Sequence, residues 1–190
     1  MKVLGIMGSP RVKGNTSLLL DEALKGAQSQ QAEVEMILVD KLKITPCREF
    51  YGCLRDGNCV IRDEMDDIYP KLLAANGVII ASPIFFYSLS AQVKGLIDRC
   101  QAPWARKYVL KQKLSALERK GAFIAVGATR GGKLFDGSIL IVKYFFKAID
   151  VSYTDELLVR GVDKKGEIKE HPTALSEAFK LGIRLAKSLA

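Results

Sequence analysis

Residues 3–19 read VLGIMGSPRVKGNTSLL, an apolar run that stops at a polar loop and passes at once into a helical pattern. The stretch is a strand, a loop and a helix start. The N–H groups of such a loop and of the first helical turn have no intrahelical partner; they point toward an anion, and the helix dipole adds to the attraction. Ser9, Asn15, Thr16 and Ser17 contribute hydroxyl and amide groups, Arg11 offers a fork matched to phosphate oxygens, and Gly8 and Gly14 let the backbone approach closely. These residue types make a phosphate cradle. The Gly-Lys-Ser/Thr of a triphosphate loop is missing, because Asn15 and Thr16 follow Gly14. Gly5 and Gly8 do not complete a G-x-G-x-x-G fingerprint, although Asp40, after the second strand, mimics a ribose-binding acid. An ordinary strand-to-helix turn capped by Asn15 or Thr16 is the alternative reading.

Outward from this unit the chain alternates strands and helices. Leu20, Ala23, Leu24 and Ala27 keep helical spacing to about residue 28, and residues 33–39 alternate Val34, Met36 and Leu38 as an edge strand would. GVIIAS at 77–82 is a buried strand that Pro83 stops, followed by the aromatic loop Ile84, Phe85, Phe86 and Tyr87. GAFIAVG at 121–127 is a fourth strand, ending in Ala128, Thr129, Arg130, Gly131 and Gly132, and 152–159 is a fifth. Helices are expected over 66–75, opened by the charges of Asp66 and Asp67, over 89–100, and through Ile139, Val142, Tyr144, Phe145, Phe146 and Ile149, whose apolar arc is wide enough for both core and subunit contact. A last helix starts at Pro172, with His171 as a helix-start residue. Trp104, Arg106, Lys107 and Tyr108 read as a basic segment.

Five strands alternating with helices through short connections require a parallel sheet with right-handed crossovers and helices on both faces. In the strand order 2-1-3-4-5, the loops after strands one, three and four lie side by side at the carboxyl edge, where open α/β sheets bind ligands. One flat cofactor with one phosphate would touch all three.

The 190 residues suit a single domain, 1–190, in which 40–66 is an inserted cysteine-containing loop; 48% hydrophobic residues supply a core without a run that could span a bilayer. No signal sequence precedes the first strand, so a cytoplasmic location is expected. The net charge of +8 is spread over helix faces, which speaks against nucleic acid and for anionic ligands or acidic partners.

GSPRVKGNTS, SPIFFYSLSAQVKGLIDR and GATRGG resemble the motifs of the NADPH-dependent FMN reductase and iron-sulfur flavoprotein superfamily, of flavodoxin-like fold, over nearly the whole chain. The resemblance implies that Ser9, Arg11, Asn15, Thr16 and Ser17 hold the FMN phosphate. It implies that Pro83, Ile84, Phe85, Phe86 and Ser88 lie along the ribityl chain and ring, and that Ala128, Thr129, Gly131 and Gly132 meet the ring. The implied chemistry is transfer of electrons from NAD(P)H through FMN to a small acceptor such as a quinone or free flavin, which asks for orientation more than for acid–base residues. The alternative is an iron-sulfur flavoprotein-like electron carrier with a degenerate or absent cluster, taking electrons from a protein partner; the partners expected are a small-molecule acceptor or an acidic redox protein. A homodimer or homotetramer would cover the aromatic loop.

PCREFYGCLRDGNCVIRDEM resembles the Cys-x2-Cys-x2-Cys-x5-Cys pattern of the iron-sulfur branch, with Cys47, Cys53 and Cys59 matching and Phe50 in the second cysteine position. A cubane normally takes four thiolates. The expectation is therefore that no stable four-iron cluster forms, while three ligands could hold a smaller or labile one and Cys100 could complete the set.

Overall fold

The structure, a computed structural model, describes residues 1–189. Five strands form one parallel sheet: β1 (Lys2–Met7), β2 (Glu33–Leu38), β3 (Gly77–Pro83), β4 (Lys120–Gly127) and β5 (Ser152–Arg160), in the order β2-β1-β3-β4-β5. The expected flavodoxin-like arrangement is the observed one. The central strands β3 and β4 are apolar runs buried along almost their whole length, as strands covered on both faces must be.

Helices α1 (Asn15–Gln28) and α7 (Ala174–Leu189) cover one face. They approach closely because Gly26 and Gly182 face the partner backbone: a Cβ on Gly182 would stand 1.8 Å from the Ala23 carbonyl oxygen, and one on Gly26 2.0 Å from that of Phe179. Helices α3 (Met65–Ala74), α4 (Ala91–Arg99) and α6 (Asp136–Ala148) cover the other face, packing Leu72, Leu96, Val142 and Phe146 against Ile80 and Phe123. His171 starts α7 as expected, its Nδ1 accepting from the N–H of Ala174 at 3.2 Å.

Three local readings change. The basic segment is a helix, α5 (Gln101–Tyr108), whose buried side is made of Ala102, Pro103 and Ala105, too small to announce a helical stripe. A four-residue helix, α2 (Cys53–Asp56), sits within the cysteine loop. On α6, Phe145 and Phe146 belong to the core, whereas Leu140 and Tyr144 face outward. Among the described residues no helix is long and apolar enough to cross a membrane.

Candidate functional site

The carboxyl ends of β1, β3 and β4 lie next to one another, Met7 in register with Ala81 and Pro83 with Val126. The three loops highlighted by the sequence therefore meet at one edge. The first two are tied together through buried serines. Gly8 N–H donates to the Ala81 carbonyl at 2.7 Å, Ser90 Oγ donates to the Gly8 carbonyl at 2.7 Å, and Ser90 N–H donates to Ser82 Oγ at 3.1 Å. Ser90 also caps α4 by accepting from Val93 N–H. Gly8 has no room for a side chain, since a Cβ there would lie 2.2 Å from Val93 Cγ2.

Helix α1 begins without a side-chain cap and without an acid in its first turn. Leu18 N–H, bonded to the Gly14 carbonyl at 3.0 Å, is the first to be used, so the N–H groups of Asn15, Thr16 and Ser17 are free. Thr16 is buried, and its hydroxyl has no hydrogen-bond partner among the described residues. Ser9 Oγ accepts from Arg11 N–H at 3.2 Å, and Arg11 is exposed, with one long contact to the Asp163 carbonyl at 3.3 Å. Ser17 shares a 3.5 Å hydrogen bond with Asp21. Asn15 faces elsewhere: its amide donates to the Lys164 carbonyl at 2.9 Å and accepts from Ile168 N–H at 3.2 Å, holding the segment after β5 against the start of α1. An uncapped, acid-free helix start beside the Thr16 side chain fits a phosphate monoester.

In the second loop, Ile84 N–H continues the sheet to the Val126 carbonyl at 2.9 Å, and Phe85 and Ser88 exchange backbone hydrogen bonds of 2.9 and 3.0 Å. Between them Phe86 and Tyr87 both adopt left-handed backbone, φ 48° and 61°. This is the type I′ geometry that normally selects Asn-Gly, so two aromatic residues here store strain of the kind that collects at functional sites. Phe86 is wholly exposed. Tyr87 reaches the third loop: a Cβ on Gly131 would be 3.1 Å from Tyr87 Oη, so glycine leaves the space the hydroxyl uses.

The third loop is exposed at Ala128, Thr129 and Gly132. Arg160, which stacks on Phe135 at 4.6 Å, donates to the carbonyls of Gly131 and Gly132 at 3.4 and 3.3 Å. The N–H groups of those glycines carry no hydrogen bond among the described residues. Ser82, Ser90, Tyr87 and Arg160 were not among the expected site residues. Tyr87 had its signal in the aromatic run and Ser82 and Ser90 lie inside the quoted 82–99 motif, whereas Arg160 had none.

A family model described as NADPH-dependent FMN reductase matches residues 1–153. The chain belongs to the NADPH-dependent FMN reductase family. It is 40% identical over 132 residues to an iron-sulfur flavoprotein of Methanocaldococcus jannaschii, covering 70% of this chain and 65% of the relative. It is 35% identical over 132 residues to an iron-sulfur flavoprotein of Methanosarcina thermophila, covering 70% and 66%. These matches span less than two thirds of the relatives' own length. Among solved structures, an NAD(P)H:quinone oxidoreductase from Methanothermobacter marburgensis superposes with a TM-score of 0.73 over 97% of this chain and 98% of its own, at 15% identity, a likeness of fold. For this FMN reductase family member the cofactor is FMN, and the cradle at Ser9 to Ser17 suits its single phosphate.

The cysteine loop lies apart from that edge. Cys47, Cys53 and Cys59 line a cavity of about 720 Å3 together with Phe50, Tyr51, Asp98, Arg99 and Ala102. Burial pushes the Cys53 thiol up, and the neighbouring Cys59 adds to it. Cys100 opens on a different groove, beside Trp104 and Tyr144, where burial pushes its thiol up as well. It does not complete the set.

Proposed function

We propose that this protein is an FMN-dependent oxidoreductase that takes electrons from NAD(P)H and delivers them to a small acceptor such as a quinone or free flavin. The observation that carries the reading is the convergence of the three loops on one edge beside the uncapped start of α1. The free N–H groups of Asn15, Thr16 and Ser17, the Thr16 hydroxyl and Arg11 would hold the phosphate. Pro83, Ile84, Phe85, Phe86 and Ser88 would line the ribityl chain and ring, with Ala128, Thr129, Gly131 and Gly132 on its other side.

When bound, FMN supplies the ring that accepts a hydride and passes electrons on. This chain's own part is orientation and electrostatics. The Ser82–Ser90–Gly8 hydrogen bonds fix the phosphate loop against the aromatic loop, and Tyr87 sets the spacing to the glycine loop. Free N–H groups at Gly131 and Gly132 favour negative charge on whatever lies against them without a titrating side chain.

A homodimer or homotetramer belongs to the same proposal, because Phe86 stands wholly exposed and Tyr144 is 64% exposed on the outer face of α6. So does a cytoplasmic location. Light scattering should give at least a dimer at micromolar concentration, and Tyr144→Glu should shift the population toward monomer. An anaerobic absorption spectrum with NADH or NADPH tests the activity. Bleaching of the flavin bands is expected; bleaching by dithionite alone would make the protein a carrier fed by an acidic redox protein.

A further inference from the structure

The turn between Phe85 and Ser88 holds a tyrosine where its backbone favours glycine. Tyr87, at φ 61°, occupies the second central position of the type I′ turn, the usual place of Gly in Asn-Gly. Glycine takes this left-handed conformation freely, whereas a bulky residue is strained in it. Such strain persists where the surroundings hold it and where the residue serves a site.

The surroundings do hold it. A Cβ on Gly131 would stand 3.1 Å from Tyr87 Oη, and one on Gly137 would stand 3.1 Å from the Tyr87 carbonyl oxygen. Two glycines, one in the third loop and one in the first turn of α6, therefore make room for this single residue. Its side chain crosses from the aromatic loop to the glycine loop, and the hydroxyl at its end is uncommitted. The Tyr69 hydroxyl donates to the Arg99 carbonyl at 2.8 Å and that of Tyr153 to Glu156, but that of Tyr87 has no hydrogen-bond partner among the described residues. Tyr87 is 54% exposed, which leaves it open to a ligand.

A phenol donor on this edge matches an acceptor that carries a carbonyl oxygen. Reducing a quinone to its hydroquinone takes two electrons and two protons; NAD(P)H supplies a hydride, water supplies the second proton, and negative charge builds on the quinone oxygens. A donor already in place at one of those oxygens holds the acceptor and holds it more tightly as that charge develops.

We propose that Tyr87 is a specificity-determining residue of the acceptor site, its Oη–H donating to the carbonyl oxygen of a flat acceptor, a quinone or a free flavin. This rests on the FMN-dependent oxidoreductase reading above.

The test uses the full FMN-loaded chain in its oxidised state, which cannot reduce the probes, so that binding is read apart from turnover. Duroquinone, whose fully methylated ring resists addition of the free cysteine thiols, and lumiflavin are each followed by equilibrium dialysis. FMN affinity and urea midpoints are measured on the same preparations. Tyr87→Phe keeps the ring and removes the hydroxyl; it should weaken duroquinone, lumiflavin or both by about three- to tenfold, and the probe that loses affinity identifies the acceptor. Tyr87→Gly should lose at least as much affinity while unfolding at an equal or higher urea midpoint, because its backbone is no longer strained. Absence of binding by either probe in the wild type, or unchanged affinity for both in Tyr87→Phe, overturns the proposal. So does an equal loss of FMN affinity in Tyr87→Phe, which would place the hydroxyl in the flavin seat, and so does a lower midpoint in Tyr87→Gly, which would make the side chain a packing element. Flavin bleaching by NAD(P)H is read separately. Bleaching with probe binding that ignores Tyr87 leaves the oxidoreductase reading standing without this site; probe binding that needs Tyr87 without bleaching keeps the site and removes the nicotinamide.

Discussion

The Ser90 hydroxyl donates to the Gly8 carbonyl oxygen at 2.7 Å, joining residues 82 positions apart and fixing the phosphate loop to the start of α4. Both groups are buried, so Ser90→Ala leaves the carbonyl unsatisfied and also removes the α4 cap. A loss of about 1 to 3 kcal/mol is expected, or roughly 2 to 12 °C in Tm for a chain of this size. FMN affinity should weaken with it. Thermal unfolding and fluorescence titration on one preparation separate the effects: a lower Tm with unchanged FMN affinity would make the contact purely architectural.

Asp63 makes the cysteine loop acid-sensitive. Burial pushes its carboxyl up, but the Arg99 guanidinium and the N–H groups of Thr45 and Met65 outweigh burial and hold it below the usual carboxylate range. A depressed folded value means stability that is present above the unfolded value, about 3.9, and lost as pH falls through the folded one. Below about pH 4 the loop should loosen first. Trp104, the one tryptophan, lies on α5, which carries the cavity-lining Ala102, and so reports on it. Its fluorescence should change with acid in the wild type. Asp63→Asn should look loosened already at neutral pH and lose that acid step; an identical acid profile would take Asp63 out of the account.

The sheet order and the three loops were legible because they depend on apolar runs and on Gly, Pro and aromatic punctuation, all local signals. Buried cations were not. Arg99 and Arg119 carry no signal of burial in the sequence, since nothing local tells an arginine surrounded by carbonyls from one in water. Asn15 shows the same limit within the site: its type fits a phosphate donor, but its amide is committed to Lys164 and Ile168, contacts about 150 residues away that only the fold reveals. Helix α5 escaped because its buried stripe consists of small residues.

Arg119 is 2% exposed, and none of the ion pairs among the described residues includes it. Its nitrogens instead donate to the carbonyls of Ala75 at 2.7 Å, Ile149 at 2.5 Å and Leu72. Those carbonyls end α3 and α6, where the helix dipoles are negative, so two helix C-termini together act as the counter-ion. Burial pulls its pKa down, and Asp150 works against that. Arg119→Met should cost at least about 3 kcal/mol, because three buried acceptors lose their donor at about 1 kcal/mol or more each. Arg119→Lys should recover part of this. Urea midpoints measure both, and an unchanged midpoint for Arg119→Met would show that water replaces the guanidinium.

The phosphate cradle makes FMN distinguishable from riboflavin, which lacks the phosphate and otherwise has the same ring and ribityl chain. Among the described residues the N–H groups of Asn15, Thr16 and Ser17 and the Thr16 hydroxyl have no hydrogen-bond partner, and the Arg11 fork has only its long contact to the Asp163 carbonyl at 3.3 Å. All of them are available to the dianion and do nothing for riboflavin. Charge-assisted hydrogen bonds contribute about 1.5 to 3 kcal/mol, so Arg11→Ala and Thr16→Ala should each weaken FMN by about tenfold or more. Riboflavin affinity should not move. Asn15→Ala is the informative contrast, because its side chain positions the segment around Lys164 and Ile168: it should lower stability and weaken both flavins together, without selectivity for the phosphate. Fluorescence quenching of FMN and riboflavin across the three variants reads the difference. Equal wild-type affinity for the two flavins, or a parallel loss of both in Arg11→Ala and Thr16→Ala, would remove the phosphate from the first loop.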